Sequence, residues 1–411
     1  MTTKRNALVG QSGGPTAAIN ATLCGVVEGC LARPDLFDRV YGMRNGVEGL
    51  LNDELVELND LLADENARTL LCQTPAAALG SCRVKLREEE KFERVFALLE
   101  KHNVGAFFYI GGNDSMDAVA GLERYRDAHN ERLHNTTRFI GVPKTIDNDL
   151  CCTDHTPGFG SAAKYVATLV AEMARDCAVY TTKAVTVIEI MGRDAGWLTA
   201  ASALAKDLTG DGADLICLPE VPFDAERFIG DVTACLARPE KPYCVVCVSE
   251  GIRDKSGDYA AKAAMSGLVD TFGHAYLAGT GKYLENLIRE KIGCKCRSVE
   301  LNIPQRCAAH CASLTDLTEA RLVGRAAAEA AAAGKTGRMM GFEREEGEAY
   351  AVRVTDQDIA MSAGIVKHVP SAYITPDGRG VSERGLAYLR PLIRGEAPVL
   401  YENGLPKFFK I

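Results

Sequence analysis

The chain has 411 residues, 47% hydrophobic and 25% charged, with 47 basic and 55 acidic side chains and a net charge of −8. That length accommodates two or three domains with large cores, and the composition is that of an ordinary soluble globular protein. The negative balance argues against a generic nucleic-acid binder, although a few local cations are enough to hold a phosphorylated small molecule. No apolar h-region opens the chain, and no window reaches the roughly 20 apolar residues of a membrane helix, so neither a signal peptide nor a membrane span is expected. The 15 cysteines form no convincing metal set. Cys244 and Cys247 lie in a valine-rich strand pattern, and neither Cys294 with Cys296 nor Cys307 with Cys311 completes a tetrahedral site. Reduced thiols in a cytoplasmic compartment are expected.

Taken in order, the first strand is Arg5 to Val9, followed by Gln11-Ser12-Gly13-Gly14-Pro15 and a helix to about Ala32. The glycines suit close approach to a ligand at a helix N-terminus, or simply a strand-to-helix turn. No Gly-Lys-Ser/Thr follows, so this is not a Walker A loop. Val40 to Leu50 reads as a strand with glycine turns. Arg83, in the loop after Gly80, is either a phosphate contact or a surface residue. Glu88 to His102 carries Phe92, Val95, Phe96 and Leu99 at helical spacing.

The central stretch is Tyr109-Ile110-Gly111-Gly112-Asn113-Asp114-Ser115-Met116, a buried strand that breaks at two glycines and enters a helix. Arg138 to Val142 repeats the plan and ends in Pro143-Lys144-Thr145-Ile146-Asp147-Asn148-Asp149. Glycines, a lysine and several carboxylates at adjacent strand ends suit metal-assisted phosphoryl transfer. Further strands are expected at Lys183 to Ile190, Ala213 to Val221, Cys244 to Ser249 and from Cys296, and a strand-like segment at Gly347 to Val354. Helices are expected up to Cys177, over 224–237, from Tyr283 to Lys291 and from Thr318 to Ala333; residues 252–278 read as a loop with a short helix. Alternating strands and helices imply right-handed parallel units with functional groups at the strands' C-terminal ends.

The ordered blocks Gln11–Pro15, Gly111–Ser115, Pro143–Asp149, Met191–Arg193, Pro219–Glu220, Ser249–Gly251 and Pro304–Arg306 resemble the phosphofructokinase family. The resemblance covers about residues 7 to 325 and implies two Rossmann-like three-layer α/β/α domains with the active site in the cleft between them. It divides the chain into 1–155 with about 306–335, for the phosphoryl donor, and 156–305 with about 336–411, for fructose 6-phosphate. Where ATP-dependent members carry glycines, this chain carries Asp114 and Lys144. Bulk and negative charge at 114 oppose a nucleotide's α-phosphate, and a lysine at 144 suits compact pyrophosphate. The pyrophosphate-dependent branch is therefore expected, with an ATP-dependent sugar-phosphate kinase and a non-catalytic regulatory relative as alternatives.

The resemblance implies Asp147 as general base, Thr145 to orient the phosphoryl group, and Lys144 and Arg193 to neutralise its charge. Gly13, Gly112, Asp114 and Lys144 would meet the donor. Met191, Gly192, Arg193, Glu250, Arg297 and Arg306 would meet the sugar phosphate together with Thr145 and Asp147. Magnesium (Mg2+) is the expected cofactor, with Asp114, Asn113 and Asp149 as candidate ligands; an aspartate is commoner where Asn113 stands. Ile303 replaces a commoner His or Tyr, and Lys183 stands beside Ala184, where some relatives donate an arginine across a subunit interface. Shared sites in such relatives imply a homodimer or homotetramer. Glu220 is either a site residue or structural, and His155 reads as a loop residue.

Overall fold

The computed structural model describes residues 4–179, 181–261, 279–347, 349–362 and 364–411. Its first half is built on a seven-stranded sheet in the order β11-β10-β5-β4-β1-β2-β3. The strands are β1 (Arg5–Gln11), β2 (Phe37–Met43), β3 (Leu55–Glu57), β4 (Val104–Gly111), β5 (Arg138–Pro143), β10 (Arg338–Arg344) and β11 (Val352–Asp358). The second half is built on a four-stranded parallel sheet in the order β7-β8-β6-β9. It comprises β6 (Ala184–Ile190), β7 (Leu215–Cys217), β8 (Tyr243–Ser249) and β9 (Lys295–Glu300). Every residue of β4 and β8 is buried, as expected of parallel strands covered by helices on both faces. Among the described residues no helix is long and apolar enough to cross a membrane.

Register decides what the sheets present. Gly10 of β1 pairs with Tyr109 of β4, which pairs with Gly141 of β5. These three strands therefore end together, and the residues just beyond them, among them Gly13, Gly112 and Lys144, emerge on one rim. In the second sheet Ile190 pairs with Ser249, so Met191 and Glu250 emerge side by side.

The chain crosses from the first sheet to the second through residues 144–158 and the helix Phe159–Cys177. The helix Leu314–Ala332 then returns to buttress both halves. Its buried Asp316 accepts hydrogen bonds from Gly158 N (2.8 Å), Ser161 N (2.9 Å) and Ser161 Oγ (2.5 Å), satisfying the N-terminus of the crossing helix. Against Ile19–Leu31 it packs backbone to backbone: a Cβ on Gly25 would stand 2.0 Å from Arg321 O, and one on Gly324 2.3 Å from Thr22 O.

Most expected elements are present, with three differences. The strand-like segment near the C-terminus is β11, and β10, which the sequence reading missed, precedes it. Both extend the first sheet, so residues 338–358 do not join the second half as the expected division at about 335 required. The Arg338–Arg344 segment mixes charged ends with a glycine, which conceals its two-residue period; pairing to β5 supplies the order. The stretch after Met43 turns helical at Gly46–Leu51 rather than continuing as strand. Most of the loop and short helix expected over 252–278 lies outside the described residues.

His155 lies in a loop, as expected, but it is buried there. It is 1% exposed, stacked on Phe342, and held by Asp154 Oδ1 at 2.8 Å and Glu319 Oε2 at 2.7 Å. Glu319 also accepts from Tyr350 Oη at 2.8 Å, and Arg344 pairs with Asp154 at 3.0 Å. Burial disfavours the imidazolium, but the two carboxylates outweigh it and raise the His155 pKa above its ordinary value. A raised folded-state pKa contributes stability that is complete below the unfolded value of about 6.5 and is lost as pH rises through the folded value. Unfolding free energy should therefore decline as pH climbs above about 6.5, and His155→Gln should flatten that slope while lowering stability at pH 6 by about 3 kcal/mol. Denaturant titrations of both proteins across pH 5.5–9 measure it; parallel slopes would refute the assignment.

Candidate active site

The rims of the two sheets face each other across a cavity of about 420 Å³. Gly13, Gly14, Gly112, Asn113, Asp114, Lys144, Thr145, Asp147 and Asp149 line one side, and Met191, Gly192, Arg193, Glu250 and Arg306 the other.

On the first side, Gly13 has φ +76, and a Cβ there would lie 3.5 Å from Lys144 Nζ. The turn thus needs glycine for its backbone and brings the lysine against the loop. Lys144 is 2% exposed and donates to Gly14 O at 2.7 Å. Burial pulls it down to about 8 against the pull of Asp147 and Asp149, which leaves it charged at neutral pH. Asp147 is pushed up to about 7, first by burial and then by Asp149, while Arg193, Lys144 and Arg306 oppose the shift. Asp149 is raised by burial as well. Thr145 Oγ1 accepts from Asp147 N at 3.1 Å, which fixes the hydroxyl at the start of the Asp147–Asp149 turn.

Asn113 donates through Nδ2 to Asp149 Oδ2 at 2.9 Å, whereas its Oδ1 is buried with no partner. An oriented, unsatisfied carbonyl oxygen beside a carboxylate is half of a hard-cation site. Among the described residues no cluster of three His, Cys, Asp or Glu side chains completes one.

On the second side, Gly192 has φ +133, and the backbone N–H groups of Gly192 and Arg193 donate to Glu250 Oε1 at 3.3 and 3.2 Å. Burial pushes Glu250 up to about 7. Met191 N donates to Gln305 Oε1 at 3.2 Å, which ties the Met191–Arg193 turn to the segment bearing Arg306. The Nε atoms of Arg193 and Arg306 are buried without partners. Two guanidinium groups with unspent donors beside Lys144 make this an anion site.

Two sequence candidates are placed elsewhere. Arg297 is exposed on β9 and does not line the cavity, and Lys183 is exposed before β6, at the opposite end of the strand from Met191. Neither lines the cleft of its own chain. Ile303 is 57% exposed and supplies no polar contact to replace the sugar-binding ring expected there. Glu220 proves structural through Oε1, which accepts from Gly196 N and Val369 N, both at 2.9 Å. Arg83, left open by its surface-like sequence, lines the cavity.

Sequence reading missed Lys85, whose Nζ lies 3.3 Å from Asp114 Oδ1. Its position two residues after Arg83, on the same side of an extended loop, was the available signal. It also missed the segment around Val366, which lines the cavity from a region without motifs.

Residues 6–331 match the family described as phosphofructokinase. A pyrophosphate–fructose 6-phosphate 1-phosphotransferase of Xanthomonas campestris pv. campestris is 41% identical over 100% of this chain and 96% of its own. The protein of that name from Halomonas elongata is 39% identical over 99% and 96%. The crystal structure of a pyrophosphate-dependent phosphofructokinase from Marinobacter aquaeolei superposes with a TM-score of 0.87 at 36% identity, covering 99% of this chain and 96% of that one. With a mixed seven-stranded sheet facing a parallel four-stranded one across a cleft, and a family match over most of its length, this chain belongs to the phosphofructokinase family.

Proposed function

We propose that this enzyme transfers a phosphoryl group from pyrophosphate to the 1-hydroxyl of D-fructose 6-phosphate, giving fructose 1,6-bisphosphate and phosphate, reversibly. The observation that carries the reading is the donor end of the cleft. Lys144 is inserted beside Gly13 and Gly14, and Asp114 is braced by Lys85 where a nucleotide would extend. A short diphosphate fits between them; a nucleoside meets the ion pair.

The chemistry follows from the charges. Asp147, with a pKa near neutrality, takes the proton from the sugar's O1 as O1 attacks the terminal phosphorus. The O1–P bond forms, the bridging P–O bond breaks, and inorganic phosphate leaves. Thr145 Oγ1 accepts from Asp147 N and its hydroxyl also bonds the Asp149 carboxylate, so on donor binding its hydrogen would turn from Asp149 to the bridging oxygen. Lys144, Arg193 and Arg306 neutralise the charge that moves with the phosphoryl group. Glu250, held by two backbone N–H groups, keeps its other oxygen for a sugar hydroxyl.

Magnesium fits this site. Asn113 Oδ1 and Asp149, with Asp114 nearby, would hold it through part of its shell, leaving the rest to water and donor oxygens. When bound, it supplies positive charge on the diphosphate. The 15 unpaired cysteines support residence in a reducing cytoplasm. Arg297 and Lys183, exposed away from their own cleft, suit service to a partner's sugar phosphate in a homodimer or homotetramer.

Initial rates with pyrophosphate and ATP over a panel of sugar phosphates test the reading; a preference for ATP would overturn it. Asp147→Ala should lower kcat by about 10³-fold with little change in KM, and retention of full turnover would remove Asp147 from the mechanism. The double variant Asp114→Gly, Lys144→Gly should lose turnover with pyrophosphate and gain measurable turnover with ATP. Chelation should abolish activity and added Mg2+ restore it, with Asn113→Ala needing about tenfold more ion for half-maximal rate.

A further inference from the structure

The family match ends at residue 331, yet the chain beyond it returns to the cleft. After β11 the backbone crosses to the catalytic turn. Val366 bridges Leu150, Lys367 N donates to Asp149 O at 2.7 Å, and Lys367 O accepts from Trp197 Nε1 of the second half at 2.8 Å. The Lys367 side chain then enters the turn itself. Its Nζ donates to Asp154 O (2.8 Å), Thr153 O (3.1 Å) and Asn148 Oδ1 (3.3 Å), and lies 5.2 Å from the centre of the Trp197 ring. Three acceptors use all three hydrogens of an ammonium group.

The residue so held is unusual. Asn148, between Asp147 and Asp149, is fully buried with φ +54, a left-handed conformation that costs energy for any residue with a Cβ. Its side chain is fixed by Tyr388 Oη (2.9 Å), Thr156 N (3.1 Å) and Lys367. Asp149, Asp154, Cys151 and Arg344 surround the ammonium, and its burial brings it down to about 8. Packing alone does not explain a lysine here, because an apolar side chain would fill the space without that desolvation.

We propose that Lys367 is a positioning residue for the reaction, clamping the turn from Asn148 to Asp154 in the strained conformation that aims Asp147 and Asp149 into the cleft. This rests on the phosphoryl-transfer reading for its kinetic part only. The clamp works through hydrogen bonds to backbone carbonyls, so donors matter more than the positive charge.

The test compares wild type with Lys367→Met and Lys367→Gln by steady-state kinetics with pyrophosphate and fructose 6-phosphate, and by amide hydrogen exchange without substrates. Lys367→Met should lose about 100-fold in kcat while KM for each substrate stays within about threefold. Amides of residues 150–156 should exchange about tenfold faster. Lys367→Gln, which keeps two N–H donors and loses the charge, should recover most of both losses. Unchanged exchange in Lys367→Met, or an unchanged kcat, overturns the proposal. So does a glutamine variant as impaired as the methionine one. If Lys367→Met does not fold, slower turnover and faster exchange in Lys367→Gln than in wild type still support the clamp, and wild-type values for both overturn it. A wild type that does not turn over pyrophosphate overturns the reaction reading instead, and the exchange measurement judges the clamp by itself.

Discussion

The cleft is organised around two carboxylates that share too little water. Asp147 and Asp149 are separated by one residue, both are half-buried, and desolvation raises both pKa values. Burying like charges together is costly unless cations stand nearby. Lys144 reaches them from the same loop, Arg193 from the end of β6 and Arg306 from the segment after β9. These cations come from both sheets, so the charge balance of the pair requires the two halves to face each other. The Nε atoms of Arg193 and Arg306 keep unspent donors beside the pair, which leaves them able to hold an anion.

The fold supplies that arrangement by ending strands in register. Because Gly10, Tyr109 and Gly141 are paired across three strands, the two glycine turns and the lysine loop need no long connections to converge. Loops built this way are held by the sheet, which matters for a reaction that depends on placement more than on covalent chemistry. The crossing segment is fixed just as firmly: Asp316 satisfies the N-terminus of its helix, and the buried His155 joins Asp154 to Glu319.

The strands of both sheet centres were legible in the sequence because parallel strands buried on both faces read as apolar runs. The catalytic loops were legible because glycine, lysine and aspartate stand at those strand ends in the family's order. What was hidden depended on pairing across long sequence distances. β10 gains its identity from β5, 195 or more residues away, and its own residues carry no clear alternation. Arg297 matched a motif position but sits on an exposed strand, a matter of which way one strand faces. Lys85 and Lys367 lie outside every recognised block, and each acquires its meaning only through a contact at the other end, with Asp114 and with the Asn148–Asp154 turn.

That contact also changes the argument about the donor. Read from sequence, Asp114 opposes a nucleotide by bulk and by negative charge. In the folded protein Lys85 Nζ stands 3.3 Å from it, so much of that charge is offset. Repulsion alone is then a weak filter, and on the proposed reading the more effective one is the bulk of Asp114 in the cavity wall, where ATP-dependent members carry glycine. The pairing has a second consequence. On the proposed reading an unpaired aspartate would compete with pyrophosphate for the cations of the cleft, and one held by Lys85 would do so less. On that reading the ion pair would let a negative group stand beside a highly charged substrate without driving it off, while its bulk would stand in the path of a longer donor.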